Sequence, residues 1–312
     1  MRKVKFVSFA LVALLLTMVQ NVKGSDAVGS AGSEALSGVF SISPKETVRF
    51  SRGNLQYVQS TGVWQFAEHQ YDMIGDANVS GEELADKIDL FGWSAKGAKV
   101  QWGISTSVDK EDYARTSDEF VDWGLNIGDG KTWRTLTQDE FMYLLRRKKD
   151  GKSLYGVAQL LLGGGKSVNG LVVLPDDWEA PAGVTFVTKR AEKDTKEDYR
   201  YVQVISKAAW EKMEAAGAVF FPASGERYGA HISMVQEKGY YWTADYASTS
   251  PEYALMFYFG AATCVSRDRD SLRGCAVRLV THCGTKDKPI EGIDTQQEVV
   301  EYYYWRIDNS ID

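Results

Sequence analysis

Gly217-Ala218-Val219-Phe220-Phe221-Pro222-Ala223-Ser224-Gly225-Glu226-Arg227-Tyr228-Gly229 is the stretch on which the fold reading turns. Ala218–Phe221 is an apolar run of strand length, and Gly217, Gly225 and Gly229 mark turns around it. Upstream, Ser206 is placed to cap a helix that carries Trp210 and Met213 one turn apart and stops at Gly217. Downstream, Tyr240–Thr243, Tyr253–Phe259 and Ala276–Val280 read as strands. Trp242 is read as a core residue, and Val277 and Leu279 point inward while Arg278 points out or pairs internally.

The N-terminal half has the same character. Thr137-Gln138-Asp139-Glu140 is a capping box, with Phe141, Leu144 and Leu145 on one face of the helix behind it. Arg146–Lys149 would follow at the negative end of that helix. Val39–Ile42 and Val48–Ser51 alternate apolar and polar, and Asn54–Val58 with Val63–Phe66 predicts a hairpin around Ser60-Thr61-Gly62. Gly170–Leu174 and Val184–Val187 are further predicted strands, and Lys189–Arg200 is a charged loop. Leu162-Gly163-Gly164-Gly165-Lys166-Ser167 imitates a phosphate-binding loop. It has Leu160 where that motif needs glycine, and a strand rather than a helix follows, so it is rejected. Asp76-Ala77-Asn78-Val79-Ser80-Gly81 matches the first half of a calcium loop, but Lys87 stands where a bidentate Glu belongs. The favoured reading is an Asx turn capping a helix near Glu82–Lys87, with calcium near Asp76 and Asn78 as the alternative.

Composition narrows the class. Hydrophobic residues make up 44%, and 9 Trp, 16 Tyr and 13 Phe are enough for a sizeable core. Met1–Lys5 is cationic, Phe6–Val19 is apolar, and Val22-Lys23-Gly24 puts small residues at the positions of a cut, which is the layout of a secretory signal peptide. The apolar run is too short to cross a bilayer core, so export without a transmembrane span is expected, to the periplasm, the cell surface or the medium. Loss of residues 1–24 removes Arg2, Lys3, Lys5 and Lys23 and no acid, taking the formal charge from −6 to −10. That balance argues against a nucleic-acid partner. His69, His231 and His282 form no ligand spacing, and neither G-x-S-x-G nor H-E-x-x-H occurs. Cys264, Cys275 and Cys283 are too few for a disulfide scaffold; a Cys264–Cys275 bridge and plain thiols are equally open.

The ordered series Arg49–Tyr57, Trp133–Thr137, Leu174–Trp178, Gly217–Gly229, Gly239–Ala244, Tyr253–Phe257 and Arg273–Val280 resembles exported bacterial proteins of the formylglycine-generating-enzyme (sulfatase-modifying factor) type. It is also similar to the major paralogous domain of fibre-degrading bacteria and to retroelement-diversified variable proteins. The resemblance implies an α+β, C-type-lectin-like mixed fold with two main helices and several short antiparallel strands. It implies this organisation: residues 1–24 as signal peptide, 25–37 as flexible lead-in, 38–283 as one C-type-lectin-like domain and 284–312 as tail.

The functional expectation is a ligand-binding module, adhesin- or lectin-like, with no catalysis and no cofactor, acting on a glycan or protein. Its variable loop face is expected at Gly260–Arg273, with Arg267, Asp268, Arg269 and Arg273 as candidate ligand contacts, joined by Tyr246 and Tyr258. A copper-dependent thiol oxidase using Cys264 is one alternative. Formylglycine-generating enzymes hold copper with closely spaced cysteines, whereas ten residues separate Cys264 from Cys275 here. A surface-filament subunit, with the aromatic tail Tyr302–Trp305 donating a strand, is the other.

Overall fold

The computed structural model describes residues 34–113, 119–188, 198–247, 252–261, 264–287, 290 and 292–293. The predicted signal peptide, residues 25–33 of the lead-in and the tail segment 294–312 therefore lie outside the described residues.

Local chemistry explains both helices. Helix α1 (Gln138–Arg146) starts at the capping box: Thr137 accepts from the Glu140 N–H, and Glu140 accepts from the Thr137 N–H. Such a cap stabilises by about 1 kcal/mol. Arg134 adds a bidentate pair to Glu140, both contacts at 2.7 Å. Phe141, Met142, Leu144 and Leu145 are buried, and the Phe141 ring stacks on Phe257 at 5.0 Å. Helix α2 (Lys207–Ala215) is capped by the Ser206 hydroxyl and buries Trp210 and Met213. It ends where the Ala218 N–H reaches Met213 O and the Gly217 N–H reaches Glu214 O. This double closure needs a left-handed residue, and Gly217 supplies it with φ 91°.

Strands dominate the rest. A long hairpin, Tyr155–Gly163 with Lys166–Val173, forms the centre of a four-stranded sheet with Gln203–Ser206 on one edge and Val219–Pro222 on the other. Leu162–Ser167 is the tip of that hairpin, which has no helix behind it. Helix α2 packs on this sheet through Trp210 and Met213 against Leu160, Val172 and Phe220. A second four-stranded sheet runs Phe40–Ser41, Glu46–Phe50, Leu279–Thr285, Arg134–Thr135, so the two ends of the described chain are hydrogen-bonded neighbours. A third, of three strands, runs Gly239–Tyr246, Tyr253–Phe259, Cys264–Asp270. Its faces are both covered: Tyr241, Phe257 and Phe259 join one apolar cluster, and Tyr240, Trp242, Met256 and Tyr258 another. Double coverage is why Tyr253–Phe259 reads as an unbroken apolar run.

The expected α+β, C-type-lectin-like class is overturned. The chain is mostly β, 41% strand and 15% helix, with many short antiparallel sheets, and no lectin-like fold is identified in it. The excess of strand comes from short, largely polar segments that pair, some with the adjoining segment and some with a distant one. Arg147–Lys149, read as a helix end, is a strand paired with Lys152–Ser153 and Gly292–Ile293. No helix forms at Glu82–Lys87: Glu83–Leu84 folds back on Val79–Ser80, and Lys87–Ile88 pairs with Tyr57–Val58. Val184–Val187 joins no ladder; the Gln203 side-chain amide brackets Val187 instead, accepting from its N–H at 2.9 Å and donating to its carbonyl at 2.7 Å. The last residues of the lead-in are also tied down, the Leu36 N–H donating to Phe50 O at 2.9 Å. Among the described residues no helix is long and apolar enough to cross a membrane.

One buried ion pair joins these parts. Arg147, with no exposed side-chain surface, donates to Asp176 at 2.6 Å and to the carbonyls of Leu144 and Leu174 at 3.0 Å each. Asp176 also accepts from the Ser41 N–H and hydroxyl and from Lys286. Burial works against the Asp176 carboxylate, but Arg147 and these donors outweigh it and hold the group below its usual range.

Candidate functional site

The hairpin Glu226–Tyr228/His231–Ser233 is anchored from beneath. Arg227 is fully buried and donates to the carbonyls of Ser105 at 2.5 Å, Gly229 at 3.2 Å and Gly103 at 3.3 Å. It also exchanges both backbone bonds with Gly274. A Cβ at Gly274 would lie 2.9 Å from Arg227 Cβ and Nε, so only glycine permits this approach. Strand alternation then turns Glu226 and Tyr228 to the face opposite Arg227.

On that face a chain of contacts runs from the interior outward. Lys238 donates to the Tyr258 hydroxyl and lies 5.0 Å from the ring centroid. The Tyr258 and Tyr240 rings are 5.2 Å apart, and the Arg269 guanidinium lies 5.4 Å from the centre of Tyr240. Glu226, its side chain 5% exposed, accepts from Arg269 Nε at 2.9 Å and from Arg269 Nη2. Arg273 Nη1 stands 3.5 Å from the same carboxylate, and its guanidinium sits 4.3 Å over the Tyr228 ring. Tyr228 is 41% exposed, so the chain opens to solvent at the Arg273–Tyr228 end.

The electrostatics follow from this packing. Burial disfavours the Arg269 cation, yet the hydrogen bonds and charge of Glu226 outweigh it and raise its pKa. Burial, then the Glu226 charge, pushes the Tyr240 phenol up. One carboxylate faces two guanidiniums, and the Arg273 guanidinium donates no hydrogen bond to any described residue; its backbone N–H donates to Asp270 O at 2.9 Å.

Of the predicted ligand contacts, the structure brings together Tyr258, Arg269 and Arg273. Tyr258 is buried rather than displayed. Tyr246 lies at the far end of its strand, exposed and opposite Ala254. Asp268 opposes Leu255 and alternates with Arg269 onto the other face of the sheet. Arg267 opposes Met256 in register, and its side chain lies outside the described residues. Gly260–Arg273 is not a free loop: Cys264–Asp270 is an edge strand paired along its length with Tyr253–Phe259. The sequence reading missed Glu226, Tyr228, Lys238 and Tyr240. The available signal was Glu226 and Tyr228 two apart in a short segment flanked by Gly225 and Gly229.

None of the three cysteines is in a disulfide, so the Cys264–Cys275 bridge is not formed. Arg269 and Arg273 lie near Cys275, whose thiol is nevertheless pushed well up by burial and then by Glu226. That is the reverse of what a reactive thiolate needs. The Asn78 side-chain oxygen accepts from the N–H groups of Asp89 at 2.8 Å and Leu90 at 3.2 Å, which turns it away from a calcium role. The described residues contain no group of His, Cys, Asp and Glu placed to hold a metal. A separate polar hollow of about 510 Å³ is lined by Arg52, Gln56, Gln65, Glu68, Asp72 and Lys87, among others.

A family model described as a domain of unknown function, DUF8237, matches residues 174–280, a span that contains every member of the Glu226 cluster. No curated protein matches the chain. No solved structure matches it either.

Proposed function

We propose that this chain is an exported, non-catalytic binding module that takes its ligand at the Arg273–Tyr228 end of the cluster. The carrying observation is a partly covered guanidinium, stacked on an exposed tyrosine and without a hydrogen-bond partner among the described residues. Arginine and tyrosine are the side chains that most often anchor interfaces, because each offers a rigid, flat surface together with polar atoms. Gly229 packs against Val108, itself 52% exposed, so apolar surface adjoins the charged fork. Export is supported by the cationic and apolar N-terminal run.

The test is an array of glycans and proteins probed with the chain from Ser25 onward. A retained ligand that is lost in Tyr228→Ala, with unchanged thermal unfolding, supports the proposal. Retention that ignores Tyr228 and Arg273 sinks the assigned face, and retention of nothing sinks the module.

A further inference from the structure

We infer that the group recognised at Arg273 is a carboxylate carried on a sugar ring, so that the ligand is a uronic-acid-containing glycan. The inference rests on the binding reading above and gives it a ligand class.

Arg269 engages Glu226 in the two-pronged manner, through Nε and Nη2 on the two carboxylate oxygens. Arg273 meets that carboxylate only at 3.5 Å, and its side chain keeps 29% of its surface exposed. The pair of arginines therefore carries one positive charge more than Glu226 cancels, and one planar fork of N–H donors is unfilled. Leaving such donors partly covered and unpaired is unfavourable, and a second carboxylate is the group whose planar geometry fills an arginine fork.

Tyr228 decides what should carry that carboxylate. Its ring holds the guanidinium plane at 4.3 Å and stays 41% exposed. A uronic acid offers both complements in one unit, a carboxylate for the fork and a C–H-rich ring for the aromatic surface. An acidic peptide side chain offers the carboxylate on a flexible stem and leaves the ring uncovered. The protein as a whole has a formal charge of −6, so an anionic ligand is repelled by most of the surface and favoured where Glu226 is outnumbered.

Isothermal titration of the chain from Ser25 with trimers of galacturonate, glucuronate and mannuronate, their methyl esters and tetraglutamate tests this. The expected result is binding of at least one uronate trimer, with its ester about tenfold weaker or more. Arg273→Gln should lose about tenfold, and Arg273→Lys, which keeps the charge but not the fork, should also weaken binding. Tyr228→Ala should weaken the uronate and leave thermal unfolding unchanged. Equal binding of acid and ester, full affinity in Arg273→Gln, or no uronate binding overturns the inference. Tighter, Arg273-dependent binding of tetraglutamate overturns the sugar and assigns a peptide. A Tyr228-dependent array ligand without uronate binding leaves the module standing and removes only the ligand class.

Discussion

The molecule contains two arginine–carboxylate sites built to opposite ends. At Asp176 the pair is closed: Arg147 is wholly buried, each of its nitrogens has an acceptor, and the carboxylate also takes Ser41 and Lys286. At Glu226 the pair is open: Arg269 is satisfied, but Arg273 shares the same acid at a distance and faces outward over Tyr228. A saturated site joins chain segments, here the Phe40–Ser41 edge of the second four-stranded sheet, the end of α1 and the Leu174–Trp178 turn. An unsaturated site on the surface has capacity left for something else.

The largest effect should come from breaking the closed site. Asp176→Ala strands a buried guanidinium, and urea unfolding should show a loss of about 3–5 kcal/mol. A loss near that of an exposed ion pair would mean the two sites do not differ as described. The pH dependence has a definite sign. The Asp176 pKa is held below its unfolded value, so its contribution is present above about pH 4 and disappears as pH falls through the lower folded value.

Asp89 sharpens the contrast, as a buried carboxylate with no cation bonded to it. It accepts from the Ile74 N–H at 2.9 Å and the Asn78 amide at 2.9 Å, and burial raises its pKa to about 6. Its stabilising contribution is complete below about pH 4 and is lost as pH rises through about 6, a swing of about 3 kcal/mol. Asp89→Asn should flatten the stability profile between those values, and a slope that survives the substitution would refute this assignment.

Opening the second site further should cost less than breaking the first. Glu226→Gln leaves Arg269 without its anion, but that guanidinium is 31% exposed to solvent, so a loss of about 1–2 kcal/mol is expected in urea unfolding. The smallest effect on stability belongs to Arg273→Gln, within about 0.5 kcal/mol, because no described hydrogen bond is lost. A large destabilisation there would make Arg273 a structural residue and close the comparison.

Elements governed by neighbours in sequence were legible without coordinates. The Thr137 capping box, the Ser206 cap, the Gly217 stop and the Leu55–Val58/Val63–Phe66 hairpin all form where their residues predict. The C-type-lectin-like class was not correct, and the errors share a cause. Lys87–Ile88, Arg147–Lys149 and Cys264–Asp270 are polar or charged segments that become strands because another strand lies beside them, distant in sequence for the first two and the preceding Tyr253–Phe259 for the third. Of the candidate site, Arg269, Arg273 and Tyr258 were visible as a charged and aromatic stretch. Glu226, Tyr228 and Lys238, which come from other strands, were not.

What the amino-acid sequence determined by itself was local: where helices begin and end, which runs are apolar, and the balance of charge. These depend on interactions within a few residues, where side-chain type and spacing are sufficient. The tertiary structure decided which arginine is buried, which is satisfied and which faces outward. Arg147, Arg227, Arg269 and Arg273 look alike in the chain. Their solvation and partners depend on carboxylates and carbonyls tens to more than a hundred residues away, brought together only by sheet pairing and core packing.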